Sequence, residues 1–216
     1  MKEYIKKLGE KSSSEILKIV HFHALTAYTY YFTEKKVTSG EKLTLILADP
    51  RFNKETISGT ELLPRLRDYN KTYLIDLSFL HCVSIFEWYL FDLLEALLKL
   101  RPEHIGSKKQ LELSIVFDSA DKSEIIEKII DAELNKLKYQ NVIEWMVYLN
   151  KIVKIKYPSD SDIKKLAEIK ASRDIIVHNN YIVNDVYLRK SGKCARFKLG
   201  GKLNVNEKEY FNLVWG

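Results

Sequence analysis

The sequence predicts an all-α protein, a helical bundle with a small β-hairpin appended near the C-terminus. Three observations lead there. Apolar residues recur every three or four positions through most of the chain, a Ser, Thr or Asn precedes several of these runs, and the doublet Gly200-Gly201 stands between short alternating stretches. At 216 residues, with 46% apolar and 30% charged side chains, the chain has material for one good-sized core, and 1–216 reads as a single domain.

The first helix is expected from Ser14 to about Glu34, with Ser12, Ser13 or Ser14 as N-cap. His21 and His23 lie two apart on it and point to different sides, which suits surface or packing histidines better than a metal pair. Gly40, Pro50 and Gly59 then interrupt the pattern, so this stretch reads as a connector with a short strand over Leu43 to Leu47. Thr60 can cap a long helix to about Leu100, with Pro64 in its first turn. Along that helix Leu77, Leu80, Val83, Phe86, Leu90, Leu94 and Leu97 mark the central core face. Helices are expected next over 107–117, over 123–138 behind Ser123, and over 141–155. The last long helix, 161–178, opens with Ser159 and Asp162 at capping-box spacing. Beyond it come the hairpin at Gly200-Gly201 and a final helical turn capped by Asn206.

Composition narrows the functional classes. The apolar run in the long helix is broken by Asp76, His81, Glu87, Asp92 and Glu95, so no membrane span is expected, and the opening MKEYIKKLGEKSSSEILK lacks the apolar core of a secretory signal. Cys82 and Cys194 are too few for a disulfide framework; a cytoplasmic location is the simple reading. A net charge of +6 favours polyanions modestly, since most of the basic residues are lysines beside Glu and Asp. No Gly-rich phosphate loop, paired CxxC or HExxH occurs, so neither a cofactor nor a metal is expected. The aromatic residues, Tyr28, Tyr30, Tyr31, Trp88 and Trp145 among them, read as core rather than as a base-stacking platform.

The chemistry concentrates in SRDIIVHNNYIVNDVY, Ser172 to Tyr187. Ala167, Ala171, Asp174 and His178 follow at spacings of four, three and four and share one helix face, on which small residues let another helix approach. That puts Asp174 within reach of the imidazole of His178 or of a facing copy, while Arg173 would have to reach over with its long side chain. A plain structural reading stands beside this one: a His in the last turn suits the negative end of the helix dipole, Asn179 or Asn180 is an ordinary terminator, and Arg173 neutralises Glu87 or Glu144.

The stretch EIKASRDIIVHNNYIVNDVYL resembles the signature of the HEPN domains: Arg, four to six residues, then His, usually with Asn, Asp or His directly after the Arg. Here these are Arg173, Asp174 and His178. CVSIFEWYLFDLLEALLKLRPEHI looks like the long HEPN helix that ends before a Pro, and the segment from VYLRKSGKC onward is similar to the tail of one prokaryotic branch. The resemblance spans about residues 70 to 213 and leaves the helix and connector of 1–60 unassigned. It implies a HEPN-like bundle that acts as a homodimer and cuts RNA without a metal, often as the toxin of a toxin–antitoxin pair or of phage defence, with an antitoxin protein as partner. Other members have lost catalysis and only bind RNA. A toxin subgroup carries a Tyr two residues after the His that its antitoxin modifies with AMP; position 180 here is Asn. Arg173, Asp174 and His178 are the catalytic residues that the resemblance implies.

Overall fold

A computed structural model describes residues 2–42, 44–47, 55–105, 116 and 119–206. These residues are mostly helical. The helices are α1 (Lys2–Thr38), α2 (Gly59–Asp68), α3 (Leu74–Leu100), α4 (Lys122–Lys138), α5 (Val142–Ile152), α6 (Asp160–His178) and α7 (Asp185–Ser191). A two-stranded antiparallel ribbon, β1 (Thr44–Leu47) with β2 (Glu55–Ser58), pairs Leu45 with Ile57 within the connector. The helix expected over 107–117 and the turn after Asn206 lie outside the described residues, apart from Val116, which is helical.

Helix ends follow local chemistry, with three departures from expectation. α1 begins at Lys2, so Ser12 to Ser14 lie inside it; ion pairs one turn apart, Lys7 with Glu3 and Lys6 with Glu10, sit on this added segment, and Leu8 is buried. α2 carries Pro64 within it and runs through a wide π turn, Tyr69–Tyr73, straight into α3. α4 is capped by Asp121, whose carboxylate accepts the Glu124 N–H, and Ser123 lies one step inside. Asn141 with Glu144 and Ser159 with Asp162 form reciprocal capping boxes at the starts of α5 and α6. The run from Glu61 to Leu100 is long and apolar enough to cross a bilayer by length and composition, a test that the core helix of a globular fold also passes.

The chain divides into two compact units. One comprises Met1–Ser12 with Val83–Leu203, the other Ser13–Cys82 with Asn204–Gly216. The first holds the main core, in which Leu90, Leu94 and Leu98 of α3, Ile130 and Leu134 of α4, and Trp145 and Leu149 of α5 pack together. The Trp145 indole meets Phe91 edge-on and donates its N–H to the Leu137 carbonyl at 2.7 Å, so its polar edge is satisfied inside the core. In the second unit His23 is buried and its Nδ1 lies 3.1 Å from the Ser78 hydroxyl, a packing histidine as expected. Tyr28 and Tyr31, expected in the core, are exposed.

Among the described residues, the hairpin expected at Gly200-Gly201 does not close. Gly200 and Gly201 form a tight turn, but the chain at and after it pairs with the segment that follows α6: the Val183 carbonyl accepts the Gly200 N–H and the Val183 N–H donates to the Gly201 carbonyl, both at 2.9 Å, Leu203 donates to the Tyr181 carbonyl at 2.8 Å, and Ile182 bridges Lys202. Both glycines are needed, since Gly200 has φ of +74° and a Cβ on Gly201 would meet the Lys198 carbonyl oxygen at 2.9 Å. The run before the turn is held elsewhere. Arg196 Nε lies 3.0 Å from Glu168 Oε2 on α6, while Glu168 Oε1 accepts from the Ser172 hydroxyl at 2.8 Å and the Tyr187 phenol at 2.6 Å. Glu168 is 4% exposed at its side chain, so a carboxylate there depends on these partners. Burial, and then the bond to Glu168, push the Tyr187 phenol above its ordinary range.

Glu168→Ala strips three donors of their acceptor in a buried place and should cost about 3–5 kcal/mol in urea unfolding. Tyr187→Phe removes one of those bonds and should cost about 1–3 kcal/mol. Equal losses in the two variants would contradict Glu168 as the shared acceptor.

Candidate functional site

α6 delivers the three singled-out residues to its C-terminal end. The residues between its cap and that end determine which way each faces. Ala167 and Ala171 are buried, so the small-residue half of the expected face is used up within the bundle, Ala167 in the main core. Ile175 and Ile176 are buried beside it. One helical turn further the same face opens, and Arg173, Asp174 and His178 line one pocket of about 320 Å³ together with Lys170 and with Lys190 of α7. The helix stops there. Asn179 is its C-cap, and Asn180 and Tyr181 adopt left-handed φ angles of 47° and 65° that turn the chain toward α7.

The electrostatic centre of the pocket is the Asp174 carboxylate. Its Oδ1 accepts from Lys170 Nζ at 2.6 Å and from Arg173 Nη1 at 3.3 Å, and its Oδ2 accepts from Lys190 Nζ at 3.1 Å. Lys170 Nζ also lies 3.1 Å from Glu87 Oε1 of α3, an ion pair without the directional geometry of a hydrogen bond, since that oxygen is buried with no hydrogen-bond partner. The Asp174 side chain is 21% exposed. Burial pushes its carboxyl upward, but the bonds and charges of Lys170 and Lys190 outweigh that and hold it below the ordinary aspartate range. Three cations thus face two carboxylates, leaving the pocket an excess of positive charge for an anionic guest.

Three expectations about these side chains change. Glu87 pairs with Lys170 and not with Arg173, because Lys170 lies one turn nearer the start of α6. Glu144 is taken by the cap of its own helix. Asp174 makes no hydrogen bond to His178 among the described residues; its oxygens are occupied by lysines and Arg173, which leaves the exposed imidazole at the pocket wall without an orienting carboxylate. Arg173 does reach over to Asp174, with its Nε buried and lacking a hydrogen-bond partner. Sequence reasoning missed Lys170 and Lys190. Lys170 is legible in retrospect as the residue one turn before Asp174. Lys190 depends on α7, a helix left unrecognised although Asn184 caps it by accepting the Tyr187 N–H.

Because Asp174 titrates below its ordinary value of 3.8 in the folded protein, its contribution to stability is present above that pH and is lost as the pH falls through the lower folded value. Asp174→Asn should be about 1.5–3 kcal/mol less stable than the parent at pH 7. That gap should close as urea titrations are taken below pH 3.8. A gap independent of pH would contradict the ion cluster.

Compared with known proteins, the chain matches no family model, no curated protein and no solved structure.

Proposed function

We propose that this chain is a HEPN-like, metal-independent endoribonuclease that works as a homodimer in the cytoplasm, as the toxic arm of a toxin–antitoxin or phage-defence system. The observation that carries the reading is the convergence of Arg173, Asp174 and His178 on one cationic pocket with an exposed imidazole at its wall. Histidine changes charge between about pH 5 and 8, so one imidazole can accept the proton of a ribose 2′-OH as its oxygen attacks the phosphorus. A second then gives a proton to the departing 5′-oxygen, leaving a 2′,3′-cyclic phosphate and a free 5′-OH. One chain supplies one His178 to the pocket, and the second comes from the partner copy; this makes dimerisation part of the mechanism. Arg173 offers a fixed fork of donors to the phosphate as its charge builds. Asp174 acts on the cations, setting the positions of Arg173, Lys170 and Lys190 rather than the tautomer of His178.

The lack of a hydrogen bond orienting His178 among the described residues favours a second reading, a noncatalytic HEPN-like module that binds RNA through the same cations.

Incubation with total RNA in EDTA separates the two. The nuclease reading expects cleavage, lowered about 10²- to 10⁴-fold by His178→Ala. Arg173→Ala should lower it too, and sedimentation should show a dimer. Salt-dependent RNA binding without any cleavage would establish the second reading. Full cleavage by either variant would refute the assignment.

A further inference from the structure

A second hollow of about 180 Å³ adjoins the first, and Lys170, Asp174 and Lys190 line both. Its far side is built by the junction of α4 and α5: Lys138, Tyr139, Gln140 and Asn141. Within this junction the polar groups divide sharply by use. Asn141 is committed to its capping box, in which its side chain accepts the Glu144 N–H at 3.0 Å. The Gln140 amide has no hydrogen-bond partner among the described residues; Lys138 donates to the Asn135 side-chain oxygen at 3.5 Å, its ammonium lies 5.5 Å from the centre of the Phe91 ring, and it has no carboxylate within ion-pair distance among them, Asp92 feeling its charge only from farther off. Tyr139 terminates α4 as its C-cap and is 91% exposed, the most open of the large hydrophobic side chains among the described residues.

A single exposed tyrosine is ordinary. This one is set apart by its place, on the wall of a hollow that shares two lysines with the pocket of His178 and adds a third. We propose that this hollow is a neighbouring nucleotide subsite for single-stranded RNA. Lys138, with the shared Lys170 and Lys190, receives the phosphate next to the one that faces His178, and the Tyr139 ring stacks on the attached base. Gln140 offers a donor and an acceptor to that base's edge. Stacking on an aromatic ring tolerates any base, so the subsite supplies affinity and register, with modest preference from Gln140. The Asp174 carboxylate between the hollows repels phosphate and keeps the backbone from settling on the dividing ridge, which favours one phosphate on each side. The inference rests on the RNA reading above and adds where the strand continues.

The test is fluorescence anisotropy with a labelled 12-nucleotide single-stranded RNA, at several salt concentrations, in EDTA. A 2′-O-methyl RNA removes the nucleophile, so no strand is cut during the measurement. Tyr139→Ala should weaken binding about 5- to 150-fold and Tyr139→Phe should not. Lys138→Gln should lower the slope of log affinity against log salt by about one phosphate contact. An abasic oligomer of the same length should bind the parent weakly and be indifferent to Tyr139→Ala. If the parent binds the RNA and Arg173→Ala weakens it while Tyr139→Ala and Lys138→Gln do not, the subsite is overturned and the RNA reading stands. If the parent binds no RNA at any salt, both fall together. A loss in Tyr139→Ala that is equally large on the abasic oligomer would overturn base stacking.

Discussion

The Asp174 carboxylate is the constraint on which the site depends. It ties Lys170 of its own helix, Lys190 of α7 and the neighbouring Arg173 to one point. Without it three cations would stand together in a half-buried hollow, where like charges raise one another's energy and the helix end would splay. With it they are held, and a net positive charge is left over even though Lys170 also meets Glu87. The arrangement suits an anion that binds and leaves: a phosphate competes with Asp174 for the same donors instead of filling an empty cage.

The position of that carboxylate follows from a second, drier network nearly two turns earlier. Glu168 gathers the Ser172 hydroxyl, the Tyr187 phenol and the Arg196 guanidinium, and so connects α6 to α7 and to the C-terminal segment. α7 is seven residues long, too short to hold itself in place. Tyr187 fastens it to α6, and with it comes Lys190. The buried charge at Glu168 therefore has its main consequence at the site, through the placement of a lysine that the HEPN-like pattern does not include. The capping boxes at Asn141 and Ser159 play a parallel part for α5 and α6, setting where each helix starts and hence where its last turn ends.

The proposed acid–base pair needs two imidazoles, and one chain provides one His178 at the pocket. The exposure of that side chain is then a requirement, since a second copy has to reach the same phosphate. The neighbouring hollow bears on the opposite need: a strand that is cut must be gripped beyond the scissile bond, and Tyr139 with Lys138 offers a grip with little selectivity.

Periodicity and capping chemistry made the helical class readable from the residues alone, as they did the Ser159 start of α6, the core stripe of α3 through Leu90 and Leu94, and the placement of Arg173, Asp174 and His178 at the C-terminal end of one helix. These are local properties, determined by 100° per residue and by backbone groups that need partners near at hand. What each charged side chain touches was decided by tertiary structure. Lys170 rather than Arg173 meets Glu87, Lys190 arrives from sixteen residues away, and the chain after Gly200-Gly201 pairs with Tyr181 to Val183 instead of closing a hairpin. Ion pairs form with whichever opposite charge the packed backbone brings within about 4 Å, and that distance is set by helices meeting, which no spacing along one helix encodes.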